Sequence, residues 1–230
     1  MTVRDAELVV AADESAAADR VAKLLAEAAR AGAEMALTGG STPALAYEGA
    51  AELERDWSRA GLWWGDERCV PPEDEKSNYG LAKRTLLDRL GAQPARIHRI
   101  RGEDAPQRAA DSYESELRGT TLDLVLLGLG PDGHVASLFP NSPGLGEKEK
   151  LVIPAEPKLD PYVERVTLTP EPLCAGRTVI FLVTGESKAD AVARALAGPP
   201  TPEVPGSLIR SHAGKTIAVL DAAAAARLRT

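Results

Sequence analysis

The segment Gly128-Leu129-Gly130-Pro131-Asp132-Gly133-His134 closes the most apolar run of the chain and sets a histidine two positions beyond an aspartate. An imidazole changes charge between about pH 5 and 8, which suits a general base, and a carboxylate that close can orient it or stabilise its cation. A second segment, Thr38-Gly39-Gly40-Ser41-Thr42-Pro43, suits an anion. Gly39 and Gly40 let backbone approach a ligand, and the free N–H groups of a helix start, with the Ser41 and Thr42 hydroxyls, fit a phosphate dianion. Thr42 reads as the N-cap of that helix and Pro43 as its first residue. Further charged groups can join them. Asp66 and Arg68 run off a strand end, Arg165 opens the pattern Val166-Thr167-Leu168-Thr169, and Lys188 lies in the first turn of a helix, where a bound anion would offset the unfavourable dipole.

The spacing of Gly128, Gly130 and Gly133 matches G-x-G-x-x-G, so dinucleotide binding is the first alternative to test. It fails just past the last glycine: Val135–Phe139 leaves room for about one helical turn before Pro140, whereas that motif opens a full crossover helix. The glycines instead thin the backbone around His134. Nor is the Gly39 segment a Walker loop, because the spacing and the lysine are missing.

Apolar runs at Leu8–Ala11, Met35–Thr38, Leu62–Gly65, Leu122–Gly128, Thr178–Thr184 and Thr216–Leu220 alternate with helical patterns. Their near-continuous hydrophobicity predicts an α/β fold: one domain over 1–230 with an open, mostly parallel sheet and helices on both faces. Val21, Leu24, Leu25, Ala28 and Ala29 make the stripe of one crossover helix, and Ala189, Val192, Ala193 and Leu196 repeat it, with a left-handed glycine stop at Gly198. Stretches 141–161 and 197–206 read as surface loops, and Ala222–Ala226 as a C-terminal helix. Ligands of open α/β sheets bind at the C-terminal ends of the strands, which puts His134 and the Gly39–Thr42 loop on one rim.

Composition limits what such a rim can serve. Hydrophobic residues make up 44% of the 230 and aromatics only 4%, so the core is expected to rest on Ala, Val, Leu and Ile, without disulfide staples. With 27 basic and 34 acidic residues the net charge is −7, which offers no diffuse positive field to nucleic acid or an anionic membrane. Cys69 and Cys174 form no Cys-x-x-Cys pair, and the three histidines are scattered, so no metal or cofactor site is expected; His98 and His212 read as structural or surface. Without a signal-type leader or an apolar run near 18 residues, a cytoplasmic location is expected. Oligomeric state is unreadable.

Four ordered blocks carry a resemblance: Leu37–Pro43; Trp64–Arg68 with Ser77-Asn78-Tyr79; Gly128–Pro140; and Arg165–Thr169 followed by Thr184–Lys188. Together they resemble the 6-phosphogluconolactonase family, within the sugar-phosphate isomerase-like modified Rossmann folds that include glucosamine-6-phosphate deaminase. The third block is the specific one. The resemblance implies hydrolysis of 6-phosphoglucono-1,5-lactone to 6-phosphogluconate in the oxidative pentose phosphate pathway, without metal or organic cofactor. It places Gly40, Ser41 and Thr42 on the phosphate, assisted by Arg165 and Lys188, and makes His134 the base. Stretch 141–161 does not align, which leaves Lys158 unassigned.

The chemistry these residues permit is acyl transfer to water. Asp66 or Asp132 would orient the imidazole, and Arg68 or backbone N–H groups around Gly130 to Gly133 would meet the oxyanion. Two other readings stand beside it. A sugar-phosphate isomerase or deaminase would use Asp66 to shuttle a proton, and a non-catalytic phosphosugar sensor would bind without turnover.

Overall fold

A computed structural model describes residues 3–158 and 161–228. Its strands are β1 (Glu7–Ala11), β2 (Glu34–Leu37), β3 (Gly61–Trp64), β4 (Asp66–Arg68), β5 (Arg96–Ile97), β6 (Leu124–Leu127), β7 (Val152–Ala155), β8 (Arg165–Leu168), β9 (Thr178–Val183) and β10 (Lys215–Asp221). Seven of them pair in parallel in the order β1-β10-β9-β6-β2-β3-β5. The central strands β9, β6, β2 and β3 are almost wholly apolar and buried, because helices flank the sheet. The longest, α1 (Glu14–Ala31), starts at Asp13, whose side chain accepts from the Ala16 N–H at 2.8 Å, and stops at Gly32 with φ 77°. Helix α1 buries Val21, Leu25 and Ala29 and packs along α2 (Ser41–Leu53).

The six expected strands form, each within a few residues of its apolar run. What the pattern missed is a second sheet, β4-β8-β7, antiparallel throughout. Stretch 141–161 is therefore not all loop. Pro154 hid β7, yet β7 is an edge strand, and there a residue without an N–H is tolerated. Strand β4 was hidden by its charge; Asp66 and Glu67 are buried by partners far along the chain.

Helix expectations failed at three places. The segment after Gly185 is a 3₁₀ turn (Glu186–Lys188), a short α-helix (Ala189–Val192) and a π turn (Ala193–Ala197), and Gly198 is extended at φ −77° rather than left-handed. There the Gly198 N–H reaches the Ala193 carbonyl at 3.1 Å. The alanine run after β10 folds as turns, because the Asp221 carboxylate caps the Ala224 N–H at 2.7 Å and also takes the Gly185 N–H. Thr42 is not an N-cap: the cap of α2 is Gly40, and Thr42 lies inside the first turn.

The core differs from expectation in one respect. Aromatics are few, but Trp57, Trp63, Trp64, Tyr47, Tyr113 and Phe181 are among its largest buried side chains. His98 stacks on Trp63 with centroids 3.8 Å apart and lies 2.7 Å from the Glu116 carboxylate, contacts that fit a structural role.

Candidate active site

Strands β9, β6 and β2 are neighbours in the sheet, and the segments leaving their C-terminal ends converge. From β2 comes the Gly39–Thr42 loop, from β6 the His134 turn, and from β9 Thr184 and Lys188. A cleft of about 250 Å³ lies between them, near the lower limit of the roughly 300–1,000 Å³ typical of small-molecule sites. Gly39, Gly40, Ser41, Thr42, Asp66, Arg68, Gly130, His134, Arg165 and Lys188 all line it. Asp132 and Gly133 lie outside its lining, and Asp132 contacts the lining residue His134.

Two buried tyrosines hold the rim. The Tyr47 hydroxyl, on α2, accepts from the Thr38 N–H at 2.9 Å and donates to the Thr38 carbonyl at 2.6 Å. Tyr113, on the helix Pro106–Leu117, brackets the backbone of Trp64 in the same way, at 2.7 and 3.0 Å. Burial pushes both phenols well above their ordinary pKa, so they remain neutral donors. Neither is visible in a linear pattern, because each works across positions that no local rule connects.

The Gly39–Thr42 loop keeps its backbone donors available. Gly40 caps α2 with φ 113° and has no side chain to occupy the first N–H groups, and those of Ser41 and Thr42 take no acceptor from the described residues. Gly39 is required for a separate reason: a Cβ there would sit 2.0 Å from Asn78 Oδ1. Asn78, at the start of a helix over Asn78–Thr85, donates to Asp66 through its amide, at 2.9 Å to the carbonyl and 3.1 Å to the carboxylate. Asn78 and Thr184 line the cleft as well, and the sequence assigned neither a role although both fall in the matched blocks.

The turn bearing His134 has no helix; an isolated bridge between Val135 and Leu138 closes it, so no crossover helix succeeds the glycines. His134 Nδ1 lies 2.6 Å from Asp132 Oδ1, and the His134 backbone N–H donates to the same oxygen at 3.1 Å. Burial works to raise the Asp132 carboxyl, but these two hydrogen bonds and the nearby imidazole outweigh it and hold the group below its ordinary pKa. An ionised carboxylate only accepts, so Nδ1 carries the proton. The lone pair of a neutral ring is then on Nε2, which bonds to no described residue. Gly130 makes the pairing possible: a Cβ there would meet Nδ1 at 2.0 Å.

Asp66 does not reach the imidazole. Its carboxylate accepts from Ser137 Oγ at 2.6 Å and from Asn78, while Thr167 Oγ1 accepts from the Ser137 N–H at 3.1 Å, so Asp66 and β8 fasten the His134 turn to the second sheet. The expectation that N–H groups around Gly130 to Gly133 meet an oxyanion fails for both glycines. Gly130 donates to the His134 carbonyl and Gly133 to the Gly130 carbonyl, each at 2.9 Å.

Three cations face the cleft. Arg68 donates to the Lys76 carbonyl at 2.6 Å, and Arg165, almost fully buried, lies 5.6 Å over the Phe139 ring, whose centroid is 5.0 Å from that of His134. Burial lowers the Lys188 ammonium below its ordinary pKa, and the Asp132 charge opposes that shift only in part. Lys158 lines a different cavity and pairs with Glu156 at 3.8 Å. Among the described residues no cluster of His, Cys, Asp or Glu is placed to hold a metal ion, and no helix is long and apolar enough to cross a membrane.

Residues 9–218 match the sequence model of the glucosamine-6-phosphate isomerases/6-phosphogluconolactonase family. A 6-phosphogluconolactonase of Streptomyces coelicolor is 39% identical over 98% of this chain and 92% of its own length. The human 6-phosphogluconolactonase is 40% identical over 86% of this chain and 81% of its own. Among solved structures, 6-phosphogluconolactonase from Trypanosoma cruzi superposes with a TM-score of 0.86 at 29% identity, covering 100% of this chain and 99% of that one.

Proposed function

The chain belongs to the glucosamine-6-phosphate isomerase/6-phosphogluconolactonase family, and we propose that it opens its substrate with His134 as general base on water. It is a lactone hydrolase that converts 6-phospho-D-glucono-1,5-lactone to 6-phospho-D-gluconate in the oxidative pentose phosphate pathway. The observation that carries the proposed mechanism is the Asp132–His134 pair, turned so that Nε2 is available in the same cleft as the Gly39–Thr42 loop.

In this mechanism the phosphate rests on the N–H groups of Gly40, Ser41 and Thr42 and on the cations of Arg165 and Lys188. Anchoring one end brings the lactone carbonyl to His134 and converts a bimolecular encounter into an oriented one. Nε2 removes a proton from water, and the resulting hydroxide bonds to C1. Charge collects on the carbonyl oxygen, where the Arg68 guanidinium is the donor still available. Collapse breaks the bond between C1 and the ring oxygen. The ring oxygen departs as the C5 hydroxyl and takes back the proton held on Nε2. Asp132 keeps Nδ1 protonated and stabilises the cation in between. Asp66 acts as an anchor for the His134 turn, its carboxylate taken up by Ser137 and Asn78, which speaks against its serving as the proton carrier of an isomerase or deaminase. We place the reaction in the cytoplasm, where both cysteines stay reduced.

The test is His134→Asn, assayed by acid release from freshly made lactone against the spontaneous rate. Turnover is expected to fall by about 10² to 10⁴, with inhibition by 6-phosphogluconate within about threefold of normal. Full turnover in that variant sinks the mechanism.

A further inference from the structure

Glu14 lies in the first turn of α1, outside the cleft, yet its carboxylate touches the proposed phosphate cradle from behind. Thr42 Oγ1 donates to Glu14 Oε1 at 2.7 Å, Thr42 Oγ1 and Thr184 Oγ1 are 2.7 Å apart, and Thr184 Oγ1 is 3.2 Å from the same Glu14 oxygen. Three oxygens thus share two hydroxyl protons. The two shortest contacts are both satisfied only by the chain Thr184 to Thr42 to Glu14, since a carboxylate can accept and cannot donate. In that arrangement neither hydroxyl has a proton directed at the cleft.

We propose that Glu14 is a positioning residue for phosphate recognition: it holds the hydroxyl proton of Thr42 away from the cleft, so that binding a phosphate must first take it. The inference rests on Thr42 as a phosphate ligand. For Thr42 to donate to a phosphate oxygen it must release Glu14, and the carboxylate has no proton with which to reverse the chain. Thr184 Oγ1, 3.2 Å from the same carboxylate oxygen, then donates to Glu14 in its place, so phosphate binding forfeits one neutral hydrogen bond, the one between the two threonines, a cost that falls on any phosphorylated ligand and on inorganic phosphate itself. Glu14→Gln replaces the carboxylate by an amide that can donate to Thr42, and so lets the chain run toward the ligand.

The experiment measures competitive inhibition by 6-phosphogluconate and by inorganic phosphate, with KM and kcat for the lactone. In Glu14→Gln both inhibition constants and KM are expected to fall about three- to tenfold, the worth of one such hydrogen bond, while kcat changes less than about twofold. Turnover of phosphate-free gluconolactone is expected not to change. Glu14→Ala, which removes the acceptor, is expected to move the constants in the same direction. The gain is expected to vanish in a Thr42→Val background, where there is no hydroxyl to release. Unchanged or weaker binding in Glu14→Gln, or a gain that persists without Thr42, overturns the inference and leaves the lactonase mechanism standing. If Thr42→Val alone does not weaken phosphate binding, Thr42 is not a phosphate ligand, and the placement of the phosphate fails together with the inference.

Discussion

Replacing Gly130 by alanine tests the dyad without touching either of its members. A Cβ built at 130 lies 2.0 Å from His134 Nδ1, 2.2 Å from His134 Cε1 and 2.6 Å from Asp132 Oδ1. The three nearest obstacles are therefore side-chain atoms of the dyad, and both side chains can rotate away. What rotation gives up is the 2.6 Å contact between Nδ1 and Oδ1, a hydrogen bond to a charged group worth about 1.5–3 kcal/mol. For a chain of this size that lowers Tm by roughly 3–12 °C, so the protein stays folded at 25 °C. The catalytic loss is expected to be larger. A positioned base contributes about 10²–10⁴ in rate, or roughly 2.7–5.4 kcal/mol of barrier, and a displaced imidazole forfeits most of it. The assay is the initial rate of acid release from freshly prepared lactone in weak buffer with a pH indicator, corrected for spontaneous opening. kcat should drop at least about 100-fold, and Gly130→Ala combined with His134→Asn should be no slower than His134→Asn alone. A kcat within about threefold of normal would refute the displacement of the ring. So would an inhibition constant for 6-phosphogluconate that worsens in step with kcat, because the methyl would then be filling the cleft instead.

Ser137→Ala removes the 2.6 Å donor from a buried Asp66 oxygen and should cost about 1.5–3 kcal/mol in a urea titration, with slower turnover because the His134 turn is no longer fastened; an unchanged midpoint argues against that anchor. Burial depresses the Lys188 ammonium, so its charged form is complete at lower pH and is lost earlier than for an ordinary lysine as pH rises. Affinity for 6-phosphogluconate, followed by calorimetry from neutral to alkaline pH, should accordingly weaken on the alkaline side, and Lys188→Arg should flatten that limb; identical profiles would remove Lys188 from the phosphate. Burial works to raise the Asp132 carboxyl, but its hydrogen bonds with His134 outweigh it and hold the group below its ordinary pKa, so the carboxylate stays charged throughout the neutral range. Asp132→Asn takes the ionised acceptor away from Nδ1 and should lower kcat for the lactone while leaving inhibition by 6-phosphogluconate nearly unchanged; an unchanged kcat would separate Asp132 from the base.

Local rules carried the sequence far. The apolar runs at β2, β3, β6, β9 and β10 were legible because a strand covered on both faces needs no partner to announce itself, and the edge strand β1 by its apolar run alone. The glycine and histidine segments were legible because turn chemistry and helix starts are encoded within a few residues. From those positions and the rule that ligands sit at strand ends, the meeting of His134 with the Gly39–Thr42 loop could be inferred before any distance was known.

What only the tertiary structure decided is every partnership between distant positions. Whether Asp66 or Asp132 faces the imidazole is a question of a few ångströms across 71 positions, the separation of Ser137 and Asp66, and no spacing rule spans it. The same holds for Glu14 with Thr184, for Tyr47 and Tyr113 bracketing strand ends, and for the second sheet that hides β4 and β7. Periodicity records how a residue meets its immediate neighbours and the solvent. A hydrogen bond between side chains far apart in the chain leaves no periodic trace, because either residue alone is equally compatible with an exposed loop.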